Sequence, residues 1–246
     1  ERYSYLSWER AHPGFANWQE IEPRKGEYNW ENIDRYVKTT QEKDIQILFT
    51  VWPFTDWDQE TCNLHLEWQP NDWGKDPGDF LPLAHRKGKP CDMEAYKEFL
   101  RRLVERYDGD GSGDMPGLRY TIKYWEIGNE PDLGDAFFQG SAEDYFEILK
   151  VSYLTIKKAD PTAVVLIAAL PCLGAEWKTK GKRHDFNPEE IFELGAAEYF
   201  DILNMHSLGH AKNLKNLLSG YNVSDKPIWV TEPGGLGDFK EPVGAE

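Results

Sequence analysis

The chain has 246 residues and a net charge of −15, with 43 acidic against 28 basic side chains. This excess of negative charge repels polyanions, so we exclude nucleic acid and anionic membrane surfaces as partners. The apolar fraction of 40% is enough to form a sizeable core, which excludes a disordered chain. No apolar run approaches the roughly 18 residues that a membrane span needs, so we expect no membrane segment.

Short apolar runs alternate with helical patterns along the chain. The predicted strands are Tyr3–Arg10, Ile45–Trp52, Tyr120–Gly128, Ala163–Leu170, Phe200–His206 and Pro227–Glu232. The predicted helices are Trp30–Lys43, a helix capped by Asp92, a helix from a capping box at Ser141 to about Lys158, a helix that begins at Asn187-Pro188, and Ala211–Leu218. Alternation of this kind predicts a parallel sheet covered by helices, either a doubly wound sheet or a (β/α)8 barrel.

The strand ends favour the barrel. No GxGxxG turn follows the early strands, which disfavours a nucleotide-binding sheet. Polar and aromatic residues gather instead where the strands end, and in a (β/α)8 barrel the active site is built at those C-terminal ends. The residues in question are Arg10, His12, Trp52, Trp57, Asn129, Glu130, Pro171, His206 and Glu232.

Two of these residues, Glu130 and Glu232, share a context: each ends an apolar strand and is followed at once by proline. Two carboxylates that converge across a barrel mouth are the working pair of glycoside hydrolysis. One protonates the departing oxygen, and the other attacks the anomeric carbon or activates water. The pair therefore predicts a glycosidase.

Three segments carry a family resemblance. They are Trp18–Val37 (WQEIEPRKGEYNWENIDRYV), Tyr124–Leu133 (YWEIGNEPDL) and Trp229–Gly235 (WVTEPGG). Together they resemble the clan of retaining glycoside hydrolases on (β/α)8 barrels, whose catalytic glutamates end strands four and seven. The β-xylosidase-like, β-galactosidase-like and cellulase-like branches are nearest, and none of them is matched closely enough to choose.

The resemblance implies a role for each matching residue. It implies that Glu130 is the acid/base and Glu232 the nucleophile of a two-step double displacement. Asn129 matches the amide that binds the sugar 2-hydroxyl, and Arg10 the arginine that keeps the nucleophile ionised. His206 matches a polar residue beside the nucleophile, with a packing histidine as the alternative. We expect His12 to contact substrate as well.

The resemblance also implies eight strands, whereas the sequence offers six. If Tyr3–Arg10 is strand two, strands one and eight are lacking. We therefore expect residues 1–246 to form a single catalytic barrel domain that is incomplete at both ends.

Three tryptophans, Trp52, Trp57 and Trp177, are candidates for stacking on sugar rings, with core packing as the alternative for each. We expect no metal and no cofactor, since the loop histidines lack zinc spacing. Asp108–Asp114 resembles the start of a calcium loop, but Arg119 at the twelfth position excludes an EF-hand, which leaves a plain acidic turn or a looser calcium site.

Other questions stay open at this stage. Cys62 and Cys91 form either a disulfide or two free thiols, and the compartment is undecided, with an extracellular one slightly favoured. The oligomeric state is not predicted. A carbohydrate substrate is expected, and the alternatives to a retaining β-glycosidase are a carbohydrate-binding barrel without turnover and a barrel that acts on phosphorylated substrates. The acidic charge disfavours the last.

Overall fold

The computed structural model describes residues 7–11, 14–69, 83–134, 137–171, 173, 187–206, 218–221 and 223–232. The strands are β1 (Trp8–Ala11), β2 (Gln46–Val51), β3 (Tyr124–Ile127), β4 (Val164–Ile167), β5 (Leu203–Met205) and β6 (Ile228–Val230). The α-helices are α1 (Trp18–Ile21), α2 (Glu31–Gln41), α3 (Asp56–Cys62), α4 (Met93–Glu105), α5 (Ala142–Ala159) and α6 (Pro188–Glu193). Two 3-10 helices cover Pro131–Leu133 and Ala196–Glu198.

The strands lie side by side in the order in which they occur in the chain. β1 to β4 form one parallel sheet and β5 and β6 another. A parallel bridge between Leu166 and Ile202 joins the two sheets, and Ile167 N donates to Ile202 O at 3.3 Å. A doubly wound sheet would reverse its strand order at a switch point, whereas a barrel keeps the chain order throughout. The topology is therefore that of a barrel.

The barrel is not closed by the strands seen here. Within the described ranges, β1 and β6 share no backbone pairing, so both remain edge strands. Six described strands agree with the six predicted from the sequence. That strands one and eight are the ones lacking stays a prediction.

The predicted helix caps are confirmed. Asp92 accepts a hydrogen bond from Ala95 N at 3.0 Å and begins α4. Ser141 and Asp144 form the reciprocal capping box at the start of α5, and Asn187 accepts from Glu189 N at 3.1 Å before α6. Each cap satisfies backbone N–H groups that the first helical turn leaves free. Residues 211–217 of the last predicted helix lie outside the described part of the chain.

The segment after β2 contains a helix that was not among the predicted elements, because Asp56–Cys62 forms α3. The sequence of this helix has no apolar residues at helical spacing. The helix is fixed in place instead by hydrogen bonds to a buried carboxylate, Asp58. Asp58 accepts hydrogen bonds from Cys91 N at 2.9 Å and Asp92 N at 2.8 Å, which ties α3 to the start of α4. Burial raises the pKa of this carboxyl. Beside it, Cys62 and Cys91 form a disulfide, which settles the choice that the sequence left open.

Two apolar layers lie on opposite sides of the strands. The larger layer packs helices against the outer faces and contains fully buried Trp18, Trp52 and Trp125. The smaller layer, inside the curve of the strands, is built on Leu48, Leu166 and Ile202. The inner layer extends across the open side, because the Trp8 ring meets Tyr124 at 4.8 Å and Trp229 at 5.4 Å between centroids. β1 and β6 are thus joined by side chains.

The acidic turn Asp108–Asp114 is stabilised by its own backbone. Asp114 accepts from Gly109 N and Gly111 N at 3.0 and 2.8 Å, and Asp110 accepts from Ser112 N at 2.7 Å. These bonds fit the acidic turn that the sequence allowed as an alternative. No helix in the described regions is long and apolar enough to cross a membrane.

Candidate active site

A buried carboxylate, Glu126, lies at the centre of the site. Side chains alternate between the two faces of a strand, so Glu126 on β3 points to the same side as its register partner Thr50 on β2. Arg10 donates to it from Nε at 2.7 Å and from Nη2 at 2.9 Å, and Thr50 Oγ1 donates at 2.6 Å. Asn204 Nδ2 on β5 donates as well. The carboxylate has no solvent exposure, and these four donors offset the cost of burying its charge.

Sequence reasoning did not single out Glu126. Glu126 lies inside the apolar run of β3, whereas the predicted functional residues were all taken from the ends of strands or from loops. The signal that could have found it is the charge itself, because an unpaired acid in a strand buried on both faces is costly.

Arg10 connects Glu126 to the predicted catalytic residues. Its Nη2 also donates to Asn129 Oδ1 at 2.7 Å, and its Nη1 donates to Glu232 Oε2 at 3.1 Å. One guanidinium therefore holds residues from the ends of β3 and β6. The structure brings Arg10, Asn129 and Glu232 together, as the strand-end argument expects.

His206, directly after β5, lies between the two predicted catalytic carboxylates. Its Nδ1 is 2.7 Å from Glu130 Oε1 and 3.8 Å from Glu232 Oε2. The resemblance placed this residue beside the nucleophile, and here its hydrogen bond goes to Glu130. Its other ring nitrogen, Nε2, is buried and has no hydrogen-bond partner among the residues that the structure describes. A buried polar atom without a partner is uncommon in folded proteins, so this nitrogen sets His206 apart from an ordinary packing histidine.

The backbone of Glu130 is strained. Its φ of 42° and ψ of 49° lie in the left-handed region, and Asp44 is the only other described residue besides glycine with positive φ. Left-handed backbone costs a residue with a side chain roughly 1–2 kcal/mol. Pro131 follows at the first position of a 3-10 helix, which fixes the chain after the turn. Strain of this kind, observed first and interpreted afterwards, points to a functional position.

Two of the tryptophans predicted to stack on sugars, Trp52 and Trp57, pack against other side chains of the core. Trp52 is completely buried and packs near Phe54 and Phe137. Trp57 is half-buried, meets Trp18 edge-on at 5.3 Å and donates from Nε1 to Glu22 O at 2.9 Å. Both positions fit the core-packing alternative. His12 and Trp177 lie outside the described residues.

Comparison with known proteins identifies the fold. No protein-family model matches the chain. A family 39 glycoside hydrolase from Bacteroides cellulosilyticus WH2 superposes with a TM-score of 0.56 at 18% identity, over 95% of this chain and 44% of that one. A psychrophilic family 10 endo-β-1,4-xylanase superposes with a TM-score of 0.53 at 16% identity, over 92% of this chain and 65% of its own length. The chain has the fold of the glycoside hydrolase barrels.

The sequence comparison is more limited. A β-xylosidase from Caldicellulosiruptor saccharolyticus is 30% identical in an alignment of 87 residues that covers 32% of this chain and 16% of that protein. The chain therefore spans less than a fifth of this curated relative and less than two thirds of the two superposed structures. Among the described residues, the predicted catalytic carboxylates Glu130 and Glu232 lie beside Arg10 and His206.

Proposed function

We propose that this chain carries the active site of a retaining β-glycoside hydrolase, with Glu130 as acid/base and Glu232 as nucleophile. The observation that carries the proposal is the approach of both carboxylates to one atom, His206 Nδ1, at 2.7 and 3.8 Å. Their nearest oxygens are therefore separated by no more than about 6.5 Å. That limit admits the roughly 5 Å separation of the two carboxyl groups in retaining enzymes.

The reaction proceeds in two displacements. In the first, a Glu232 carboxylate oxygen bonds to the anomeric carbon while the glycosidic C–O bond breaks, and Glu130 gives its proton to the departing oxygen. In the second, water attacks the same carbon and Glu130 takes its proton. The bond between that carbon and Glu232 breaks as the water oxygen bonds to it, which frees the Glu232 carboxylate, and the sugar leaves with its original anomeric configuration.

Arg10 and Asn129 assist without reacting. The hydrogen bond from Arg10 Nη1 holds the Glu232 carboxylate beside His206. Arg10 Nη2 also binds Asn129 Oδ1, which turns the amide so that its N–H groups can donate. A hydrogen bond from this amide to the sugar 2-hydroxyl strengthens as positive charge develops at the anomeric carbon.

The proposed substrates are β-xylosides and β-1,4-linked xylan fragments. Support comes from the names of the proteins to which the chain is similar, a β-xylosidase by sequence and an endo-β-1,4-xylanase by fold. The net charge of −15 is compatible with such neutral sugars.

The test separates the two roles by leaving group. Glu232→Gln removes the nucleophile, so we expect hydrolysis of both 4-nitrophenyl and 2,4-dinitrophenyl β-xyloside to fall by at least about 10⁴-fold. Glu130→Ala removes the acid/base and slows the second step on every substrate, but in the first step the dinitrophenolate leaves readily without a proton. We therefore expect this variant to lose roughly 100-fold more on xylan fragments than on the dinitrophenyl substrate.

Glu9→Gln is the matched control, because Glu9 adjoins Arg10 on β1 but points to the opposite strand face. It should hydrolyse all three substrates at the parental rate. Full activity of Glu232→Gln on a substrate that the parent cleaves contradicts the proposal. Sugar binding without hydrolysis by the parent, across a broad glycoside panel, favours the binding-protein alternative.

A further inference from the structure

An exposed tryptophan, Trp68, lies in the loop that follows α3. More than half of its surface is open, with 53% of the residue exposed. One ring face stacks on the imidazole of His85, with centroids 4.6 Å apart and planes 14° from parallel. The exposed surface thus belongs to a flat ring that is supported from behind.

The support behind Trp68 is rigid. His85 Nδ1 is hydrogen-bonded to Asp56 Oδ2 at 2.7 Å, and His85 N donates to Asp56 Oδ1 at 2.8 Å. Asp56 is the first residue of α3, and its own N–H donates to Gln19 Oε1 at 2.6 Å. The imidazole is therefore fixed at both its ring and its backbone.

The loop itself is also anchored on each side of the ring. Gln69 N donates to His85 O at 2.8 Å, and Arg86 Nε donates to Leu66 O at 3.2 Å. Trp68 thus loses little conformational freedom when a ligand binds, which removes one of the main costs of binding.

The loop lies on the same side of the barrel as the candidate catalytic residues. Asp56 comes five residues after the C-terminal end of β2. Gln139, nine residues after Glu130 along the chain, donates from Nε2 to Glu67 O at 3.0 Å and accepts from Lys87 N at 2.9 Å. The segment that follows the proposed acid therefore holds the segment that carries Trp68.

The chemistry around the ring fits a sugar. A pyranose presents a face of C–H groups that packs on an aromatic ring, and its equatorial hydroxyls need donors and acceptors around the rim. The Trp68 ring offers the flat face, and His85 and Asp56, which are both partly exposed, offer polar atoms beside it. An anionic partner is disfavoured by the carboxylate of Asp56 next to the ring.

We propose that Trp68, supported by His85 and Asp56, binds a pyranose unit of a β-linked glycan chain at a distance from the scissile bond. This inference rests on the proposed function for its placement beside a catalytic centre, and it makes an oligosaccharide the preferred substrate over a single aryl glycoside. Trp52 and Trp57 cannot take this role without leaving the packing in which they lie.

Binding is measured first, without turnover. Calorimetry of the Glu232→Gln protein with xylohexaose and with cellohexaose gives the parental Kd for each sugar. Trp68→Ala is then introduced into the same protein, and the two Kd values are measured again. We expect an approximately tenfold weaker Kd for the hexaose that binds, as for the loss of one aromatic stacking contact. Trp68→Phe, which keeps a flat ring, should restore most of the affinity. His85→Ala, which removes the support, should give an intermediate value.

Leu64→Ala is the matched control, because Leu64 is 64% exposed in the same loop and has no ring. It should bind both hexaoses with parental affinity. Absence of binding to both hexaoses, or an equal Kd for the parent and Trp68→Ala, overturns the inference.

Turnover separates this inference from the proposed function. In the active protein, Trp68→Ala should raise KM for xylohexaose by several-fold more than KM for 4-nitrophenyl β-xyloside. If the protein binds the hexaose through Trp68 but hydrolyses no substrate, the proposed function is rejected and the sugar-binding role of Trp68 stands. If the protein hydrolyses both substrates and Trp68→Ala changes the two KM values equally, only the sugar-binding role of Trp68 is rejected.

Discussion

The two N–H groups that Arg10 gives to Glu126 determine where the rest of its guanidinium can reach. A planar fork bound at Nε and Nη2 has no rotational freedom, so Nη1 is directed toward Glu232. Glu126 itself is fully buried and touches no solvent from which a substrate could approach. We therefore regard it as a positioning residue that acts through Arg10.

Glu126→Gln tests this role. The amide keeps the shape but turns an N–H₂ group or a weaker oxygen toward the guanidinium, and we expect kcat/KM to fall roughly 100-fold as Arg10 moves away from Glu232. If Glu126 acts through Arg10, the same substitution in an Arg10→Met protein should cost less than about threefold. The measurement is kcat/KM in the four proteins of the cycle, with circular dichroism as the check on folding.

Asp58→Asn is the control for burial of a carboxylate. Asp58 is as buried as Glu126, but its donors are the backbone N–H groups of Cys91 and Asp92 and the side chain of Gln59, and Arg10 is not among them. Its effect on kcat/KM should be the same with and without Arg10. Equal losses from Glu126→Gln in both backgrounds argue against a role through Arg10.

At the scale of single elements, α4 carries a charge pattern on its exposed face. Glu98 accepts from Arg101 Nε at 2.8 Å and from Arg102 Nε at 2.6 Å. The hydrogen bond from Arg101 is the largest cause that lowers the pKa of Glu98, to about 2, with Arg102 adding to it and partial burial opposing. In the unfolded chain the carboxyl titrates near 4.3.

The sign of the pH dependence follows from this depressed pKa. The stabilisation is fully present above about pH 4.3 and is lost as the pH falls toward 2, because the folded state then takes up a proton at some cost. Since the three side chains are nearly half exposed, we expect Glu98→Gln to lower the free energy of unfolding by less than about 1 kcal/mol at pH 7. Urea unfolding should show that the free energies of unfolding of the parent and of Glu98→Gln differ less at pH 3 than at pH 7. At pH 7, 1 M NaCl should reduce the same difference. A difference that is constant with pH contradicts the assignment.

The molecule as a whole is held across its open side by side chains. Arg10 and Glu232 form a polar tie between β1 and the end of β6, and Trp8 and Trp229 form an aromatic tie between the same strands. Because no backbone pairing was found there in the described segments, these contacts take over part of the role that a sheet would have.

A double-mutant cycle on Trp8→Ala and Trp229→Ala measures the aromatic tie. We expect a coupling free energy of about 0.5–1.5 kcal/mol, the usual range for an edge-to-face pair. Urea unfolding of the four proteins gives the value. Leu154→Ala, on the exposed face of α5, should combine additively with Trp8→Ala. Additivity of the two tryptophan substitutions would show that the tie contributes nothing.

The strand-end rule predicted from the sequence alone that Arg10, Asn129, Glu130, His206 and Glu232 lie near one another. The alternation of strands and helices implies parallel strands, whose C-terminal ends lie on the same side of the barrel. The reaction roles of these residues stay predictions until the variants are measured. The same rule overlooked Glu126, because this residue lies within β3 and not after its end. It also chose Trp52 and Trp57 over Trp68, because the direction in which a ring points depends on the packing of α1 and α3, two helices without a clear apolar period.

The left-handed backbone at Glu130 has a consequence for protein engineering. Glycine would adopt the same backbone there without the steric cost, so the side chain that the proposed reaction needs is one that the fold alone disfavours. Libraries screened only for heat resistance should therefore enrich glycine at this position. Libraries screened for turnover should keep glutamate, and the ratio of the two residues becomes a direct record of which property was under selection.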